Sequence, residues 1–190
     1  MPIKVSREAV SVTSRSQPEP ACSNCTWIAL PLWTDQHSQK GLPFMSDTKR
    51  IVLSSDHAAI DLRQAVATHV TAKGYEVVDI GPTTTESTHY PLHGKAAAER
   101  VASGDCDLGI ILCGTGQGIM MAANKVPGVR CGVCSDTFSA AMIRAHNNAN
   151  MLSIGARVVG EGVALEIVDA YLDAEFEGGR HGTRVDMIEG

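Results

Sequence analysis

Cys113-Gly114-Thr115-Gly116-Gln117-Gly118 is the stretch of this chain whose residue types are best suited to chemistry. Glycines at alternate positions let the backbone turn tightly and bring its N–H groups close to a bound oxygen. The stretch follows the apolar run Leu108–Leu112 and opens into Ile119–Asn124, which places it at a strand-to-helix junction. Backbone N–H groups and the helix dipole favour anions there, and a thiol at the lip of the loop lies in a field that favours thiolate. One loop therefore offers a base or nucleophile beside a cradle for a negative oxygen. A cysteine phosphatase needs Cys-x5-Arg, and Ile119 stands at the sixth position after Cys113, which excludes that chemistry. A dinucleotide site wants G-x-G-x-x-G; the spacing here is G-x-G-x-G, although Asp136 ends the next strand where a ribose could lie. Acid–base chemistry on a phosphorylated small molecule fits the loop as it stands. The plain alternative is a glycine turn beside an inert buried cysteine.

The elements that must position this loop are legible from Arg50 onward. Ile51-Val52-Leu53 is a short buried strand ending at Ser54-Ser55-Asp56-His57. Ala58, Leu62, Val66 and Val70 form one apolar stripe at helical spacing, stopped by Gly74. Glu76–Ile80 is a second strand, and Pro91 can start the helix that carries Ala96, Ala97, Ala98 and Val101. Val129–Cys134 is a fourth strand, Ser135-Asp136 caps a helix through Arg144, and Met151–Ile154 is a fifth strand. Val163, Ile167, Val168, Tyr171 and Leu172 mark a fifth helix. Five short apolar strands alternating with helices predict a three-layer, Rossmann-like α/β sandwich, its parallel sheet covered on both faces. Such sheets bind ligands beyond the carboxyl ends of their strands. Asp56-His57, Cys113–Gly118, Ser135-Asp136 and Arg157 all stand just after strands, so reactive side chains gather at one edge.

Composition bounds the rest. A chain of 190 residues suits one domain with a sizeable core. A net charge of −5 argues against nucleic acid as a partner, and no apolar run reaches membrane-spanning length. Six scattered cysteines, with no small disulfide scaffold to serve, suggest reduced thiols in a cytoplasm. Residues 1–44 alternate Ser, Thr, Pro, Gln and single charges without a period and read as a disordered extension. Residues 45–190 read as the single domain, with a C-terminal arm over 174–190. Cys22-x-x-Cys25 lies in the extension and lacks two further zinc ligands nearby.

Several side chains have a functional and a bland reading. Asp56-His57 could be no more than a helix cap followed by a first-turn histidine. His146-Asn147 follows the expected fourth helix; a histidine there can complement the helix dipole, or donate and accept a proton near neutral pH. His89 and His93 have metal-ligand spacing, but Pro91 between them starts a helix, so they need not share a face. Cys131 and Cys134, three apart on a strand, should point to opposite faces and not meet; Cys106 has no partner either. Arg180 and Arg184 follow Gly178-Gly179, and a helix there would put both guanidinium groups on one side. With Arg157 they would suit a phosphate, or else form a solvated face paired with Glu177 and Asp186.

Taken together these residues resemble the type B ribose 5-phosphate isomerases, the family that includes the sugar-phosphate isomerase subunits of lactose catabolism. The resemblance runs from about Arg50 to Ile188. It rests on S-S-D-H-A-A at 54–59, T-H-Y-P at 88–91, C-G-T-G-Q-G-I with A-A-N-K at 113–125, H-N-N-A-N at 146–150, G-A-R-V-V-G at 155–160, and E-G-G-R-H with Arg184. It implies that Cys113 is the base moving a proton between C1 and C2 of the open-chain sugar. Gly114, Gly116, Gln117 and Gly118 would hold the enediolate oxygen by backbone N–H groups, with Thr115 helping to place the substrate. His146 would be the acid that opens the furanose ring, and Asn147 would bind hydroxyls. Asp56 and His57 would line the sugar site, and Arg157, Arg180 and Arg184 would take the phosphate. The resemblance also implies a homodimer, or a tetramer, whose tail arginines reach the neighbouring subunit, and neither metal nor organic cofactor. Ala59 stands where the family often has Gly, Arg63 where Lys is usual, and His89 where an acidic residue is common. Ribose 5-phosphate, a six-carbon phosphate such as galactose 6-phosphate or allose 6-phosphate, and a rarer pentose phosphate all remain open as substrates, as does a non-enzymatic sugar-phosphate or nucleotide sensor on the same fold.

Overall fold

The apolar runs form five parallel strands: β1 Arg50–Ser55, β2 Glu76–Asp79, β3 Leu108–Cys113, β4 Cys131–Val133 and β5 Met151–Gly155, side by side in the order β2-β1-β3-β5-β4. The structure is a computed structural model that describes residues 48–190. The expected extension over residues 1–44, with Cys22 and Cys25, lies outside them. The helices are α1 Ile60–Ala72, α2 Tyr90–Ala102, α3 Gln117–Ala123, α4 Thr137–Asn147, α5 Glu161–Asp173 and α6 Arg180–Glu189. A 3₁₀ turn, His57–Ala59, joins β1 to α1. Right-handed crossovers with this strand order send α1 and α4 to one face of the sheet and α2 and α3 to the other, and α5, after the last strand, packs with α1 and α4. The packing agrees: Leu62, Val66, Val70, Ala140, Ile167 and Tyr171 cover one face, and Ala97, Ala98, Val101, Ile119 and Ala123 the other.

One buried charge helps hold the edge of this sheet. Arg63 on α1 is 2% exposed and donates to Ser55 Oγ (2.9 Å), the Asp79 carboxylate (3.1 Å to Oδ2) and the Pro82 carbonyl (2.9 Å). Gly81 leaves room for it, since a Cβ there would stand 1.8 Å from the guanidinium.

The ends of two elements differ from the sequence reading. β4 starts later than Val129 because the Val129 N–H closes a turn on the Val126 carbonyl (3.2 Å) and Asn150 Oδ1 takes the Arg130 N–H (2.8 Å). α4 runs past Arg144 to Asn147 and ends where Asn148 adopts φ 45°. His146 and Asn147 therefore form its last turn instead of following it. Cys131 and Cys134 do face opposite layers, one in each core, and both are unpaired. Burial pushes both thiols up, Cys134 to about 11 and Cys131 further.

Candidate active site

Strand order reverses between β1 and β3, where α1 and α3 leave on opposite faces, so the carboxyl ends there part around a crevice. β1 delivers Asp56 and His57 to it, β3 delivers Cys113 and the glycine loop, and β5 delivers Arg157. Backbone bonds fasten the three together: Asp56 N–H to the Leu112 carbonyl (3.1 Å), Ala156 N–H to Cys113 (2.9 Å) and Arg157 N–H to Gly114 (2.9 Å).

Asp56 is 6% exposed and caps the 3₁₀ turn, its Oδ1 accepting from Ala58 N–H at 2.9 Å. The bland role is thus real, and it also fixes His57 at the start of the turn. His57 Nδ1 accepts from Thr88 N–H (3.2 Å), which in the neutral ring leaves the proton on Nε2. His93 Nε2 meets Thr88 Oγ1 at 3.0 Å, and burial pushes the His93 imidazole below its ordinary value. His93 is therefore turned to Thr88, while His89 sits outside α2 at its N-cap. The two form no metal set among the described residues.

Cys113 ends β3 at 4% exposure, and its Sγ accepts from the Gly116 N–H at 3.1 Å. Gln117 N–H reaches Thr115 Oγ1 at 3.4 Å. Two of the loop's N–H groups thus point at the loop's own atoms. Gly116 has φ 76°, and a Cβ there would lie 2.8 Å from Val133 Cγ2 and 2.9 Å from the Ile154 carbonyl carbon, so only glycine fits. Ser153 Oγ donates to the Gly116 carbonyl (2.6 Å) and locks the turn over β5. The Arg157 side chain lies across Gly114, its Cδ 3.5 Å from where a Cβ would be. Tyr90 closes the far side, its ring 2.6 Å from a Cβ built on Gly118. The sequence reading did not choose Tyr90 as a site residue, although T-H-Y-P carried the signal.

His146, Asn147, Arg180 and Arg184 are elsewhere in the chain. α4 leaves the carboxyl edge after β4 and descends for 11 residues, about 16 Å, so its last turn lies at the amino edge. There the Asn147 carbonyl accepts from Arg130 Nε (3.2 Å), just ahead of β4. α6 lies along α4, held by Glu177 N–H to the Ala145 carbonyl (3.0 Å) and by an Arg130–Glu189 ion pair. Both tail arginines are exposed on α6. The structure thus brings Asp56, His57, Cys113–Gly118 and Arg157 together. Within one chain it does not bring His146, Asn147, Arg180 or Arg184 to them.

Comparison with known proteins bears on both groups. Residues 51–188 match the family model described as Ribose/Galactose Isomerase. Ribose-5-phosphate isomerase B of Escherichia coli K12 is 46% identical over 140 residues, 74% of this chain and 94% of that protein. The structure of Clostridium thermocellum ribose-5-phosphate isomerase B is similar at TM-score 0.73 and 51% identity, covering 74% of this chain and 95% of that one. The Mycoplasma genitalium enzyme with bound ribulose-5-phosphate gives TM-score 0.71 and 41% identity, covering 74% and 93%. A match this long takes in the glycine loop at the carboxyl edge and the helices at the amino edge alike, and it shows that the chain belongs to the ribose/galactose isomerase family.

Proposed function

We propose that the protein interconverts ribose 5-phosphate and ribulose 5-phosphate through a cis-enediolate. The observation that carries this reading is Cys113, set at the switch-point crevice with a backbone N–H on its sulfur, in a chain of this family. In the cyclic aldose, His146 protonates the ring oxygen as the anomeric hydroxyl loses its proton, and the C1 aldehyde forms. The Cys113 thiolate then takes the proton from C2, and the electron pair moves onto O1. The loop N–H groups and Thr115 hold the enediolate, the O2 hydroxyl proton passes to O1, and return of the first proton to C1 as the C2 carbonyl forms gives the ketose. Asp56, His57 and Asn147 bind hydroxyls, and Arg157, Arg180 and Arg184 hold the phosphate. No step of this scheme calls for a metal or organic cofactor.

The two groups sit at opposite edges of one sheet, so we place each site between two copies of the chain. One copy supplies Cys113 and the glycine loop, and the other supplies His146, Asn147, Arg180 and Arg184. Among the described residues no helix is long and apolar enough to cross a membrane, and four cysteines are free, which suits action in a cytoplasm. A six-carbon aldose phosphate is the second reading. It is favoured by the galactose named in the family description and by His89 in the loop that meets His57.

A panel of aldose 5- and 6-phosphates tests this, read by ketose formation and by deuterium uptake from solvent. Ribose 5-phosphate is expected to give both signals most strongly. A six-carbon phosphate in first place would select the second reading, and binding without deuterium uptake would make the protein a sensor.

A further inference from the structure

His146 and His181 lie face to face, ring centroids 4.2 Å apart and planes within 5° of parallel. Glu177 spans them, with Oε1 3.8 Å from His146 Nε2 and Oε2 3.6 Å from His181 Nε2. Two imidazoles and a carboxylate suggest a metal at first sight. An imidazole binds a metal in its own ring plane, at about 2.0–2.1 Å. An ion in the plane of one ring would stand out of the plane of the other by most of their separation. Parallel rings cannot share an ion, so this cluster serves another purpose.

The three side chains differ in freedom. His181 is 7% exposed, wedged with Val185 between α6 and α4. Arg180 Nε donates to His181 Nε2 (3.4 Å), which places the single ring proton of His181 on Nδ1. Burial, reinforced by His146 and by Arg180, pushes the His181 imidazole below its ordinary value. His181 is thus a buried plate whose surroundings favour its neutral form. His146 is half-buried against it, and the segment bearing Glu177 is tied to the last turn of α4 through the Ala145 carbonyl. The charged groups facing the pair from α6 and the turn before it are Glu177, Arg180 and Arg184. Arg144, on α4 itself, is turned to Asn148 Oδ1 (2.7 Å).

We infer that His181 and Glu177 are positioning residues for the ring-opening step: His181 fixes the plane of the His146 ring by stacking, and Glu177 stands at its Nε2 as the partner of the protonated ring. The inference rests on His146 being the ring-opening acid. An acid left to swing about χ1 and χ2 would meet the sugar oxygen in few of its rotamers, and a preset ring plane removes that loss. Because Arg180 also bonds His181, seating of the phosphate and aim of the acid share one plate.

The two directions of the reaction test this. Ribose 5-phosphate is mostly cyclic, whereas ribulose 5-phosphate has its only ring-forming hydroxyl blocked by phosphate and is always open. Glu177→Gln and His181→Ala are expected to lower kcat on ribose 5-phosphate roughly tenfold while leaving kcat on ribulose 5-phosphate within about twofold. His181→Phe, which keeps a flat ring against His146, should recover most of what His181→Ala loses. Circular dichroism and the thermal midpoint check folding of each variant. Equal loss in both directions, no loss in either, or no recovery with phenylalanine would overturn the inference. His146→Ala run alongside separates the levels. If it spares ribose 5-phosphate, the acid assignment falls and this inference with it. If it shows the directional split and the other variants do not, only the positioning role falls.

Discussion

Cys113 combines a buried setting with an N–H aimed at its sulfur, an arrangement that costs nothing to a bystander but suits a base in a dry crevice. Cys113→Ala is expected to lower kcat by about a thousandfold while substrate still binds in calorimetry, because the base acts mainly on the transition state. Normal turnover would place the base elsewhere. Arg63 is the other residue with consequences beyond its own position. Its three acceptors enclose a charge that lies almost wholly out of water. Arg63→Ala should cost about 3 kcal/mol in denaturant unfolding, since it empties that enclosure and strips Asp79 of its partner. Arg63→Lys should cost less but more than nothing, as one ammonium cannot copy a planar fork with three fixed partners. A loss under about 0.5 kcal/mol for the alanine variant would show that the network is incidental.

At the scale of elements, the loop from Gly81 to His89 and the start of α2 are tied to the carboxyl edge through Thr88, which donates to His57 and meets His93. The folded state holds His93 below its ordinary value by burial, so it binds fewer protons there than the unfolded chain does. Stability from this source is complete above about pH 6.5 and falls as pH drops below it. The thermal midpoint should therefore fall between about pH 7.5 and about pH 5.5, and His93→Gln should flatten that slope; an unchanged slope would assign it to other groups. The sequence made the strands and most helices legible because Ile51–Leu53, Leu108–Leu112 and Met151–Ile154 are buried on both sides, and their uniform apolarity is the signal. The ends were harder. α4 outran its expected end at Arg144 because the stop is an asparagine in a left-handed conformation, a milder mark than glycine. That shift of one turn is why His146 reads from sequence as a loop residue. The glycine loop and Asp56-His57 were legible as neighbours through their places after strands, but the distance from Cys113 to His146 depends on which edge α4 returns to. Only the assembled sheet shows that.

For the whole molecule, sites shared between copies can be tested by mixing defects. Cys113→Ala and Arg180→Ala homodimers should each be nearly inactive. After subunit exchange both defects fall in one site of a mixed dimer and leave the other intact, restoring up to roughly a quarter of wild-type activity with random pairing. Mixing His146→Ala with Arg180→Ala should restore nothing, because both lie at the amino edge of their chain and every mixed site keeps one defect. Activity that stays flat in the first mixture after proven exchange would rule out the shared site. The placement of α4 has one more consequence, for reaction order. If the catalytic groups meet only across two chains, a single folded chain is half of two sites and the whole of none. In a dilution series carried below the dimer's dissociation constant, velocity should then rise with the square of protein concentration, while circular dichroism per chain stays constant.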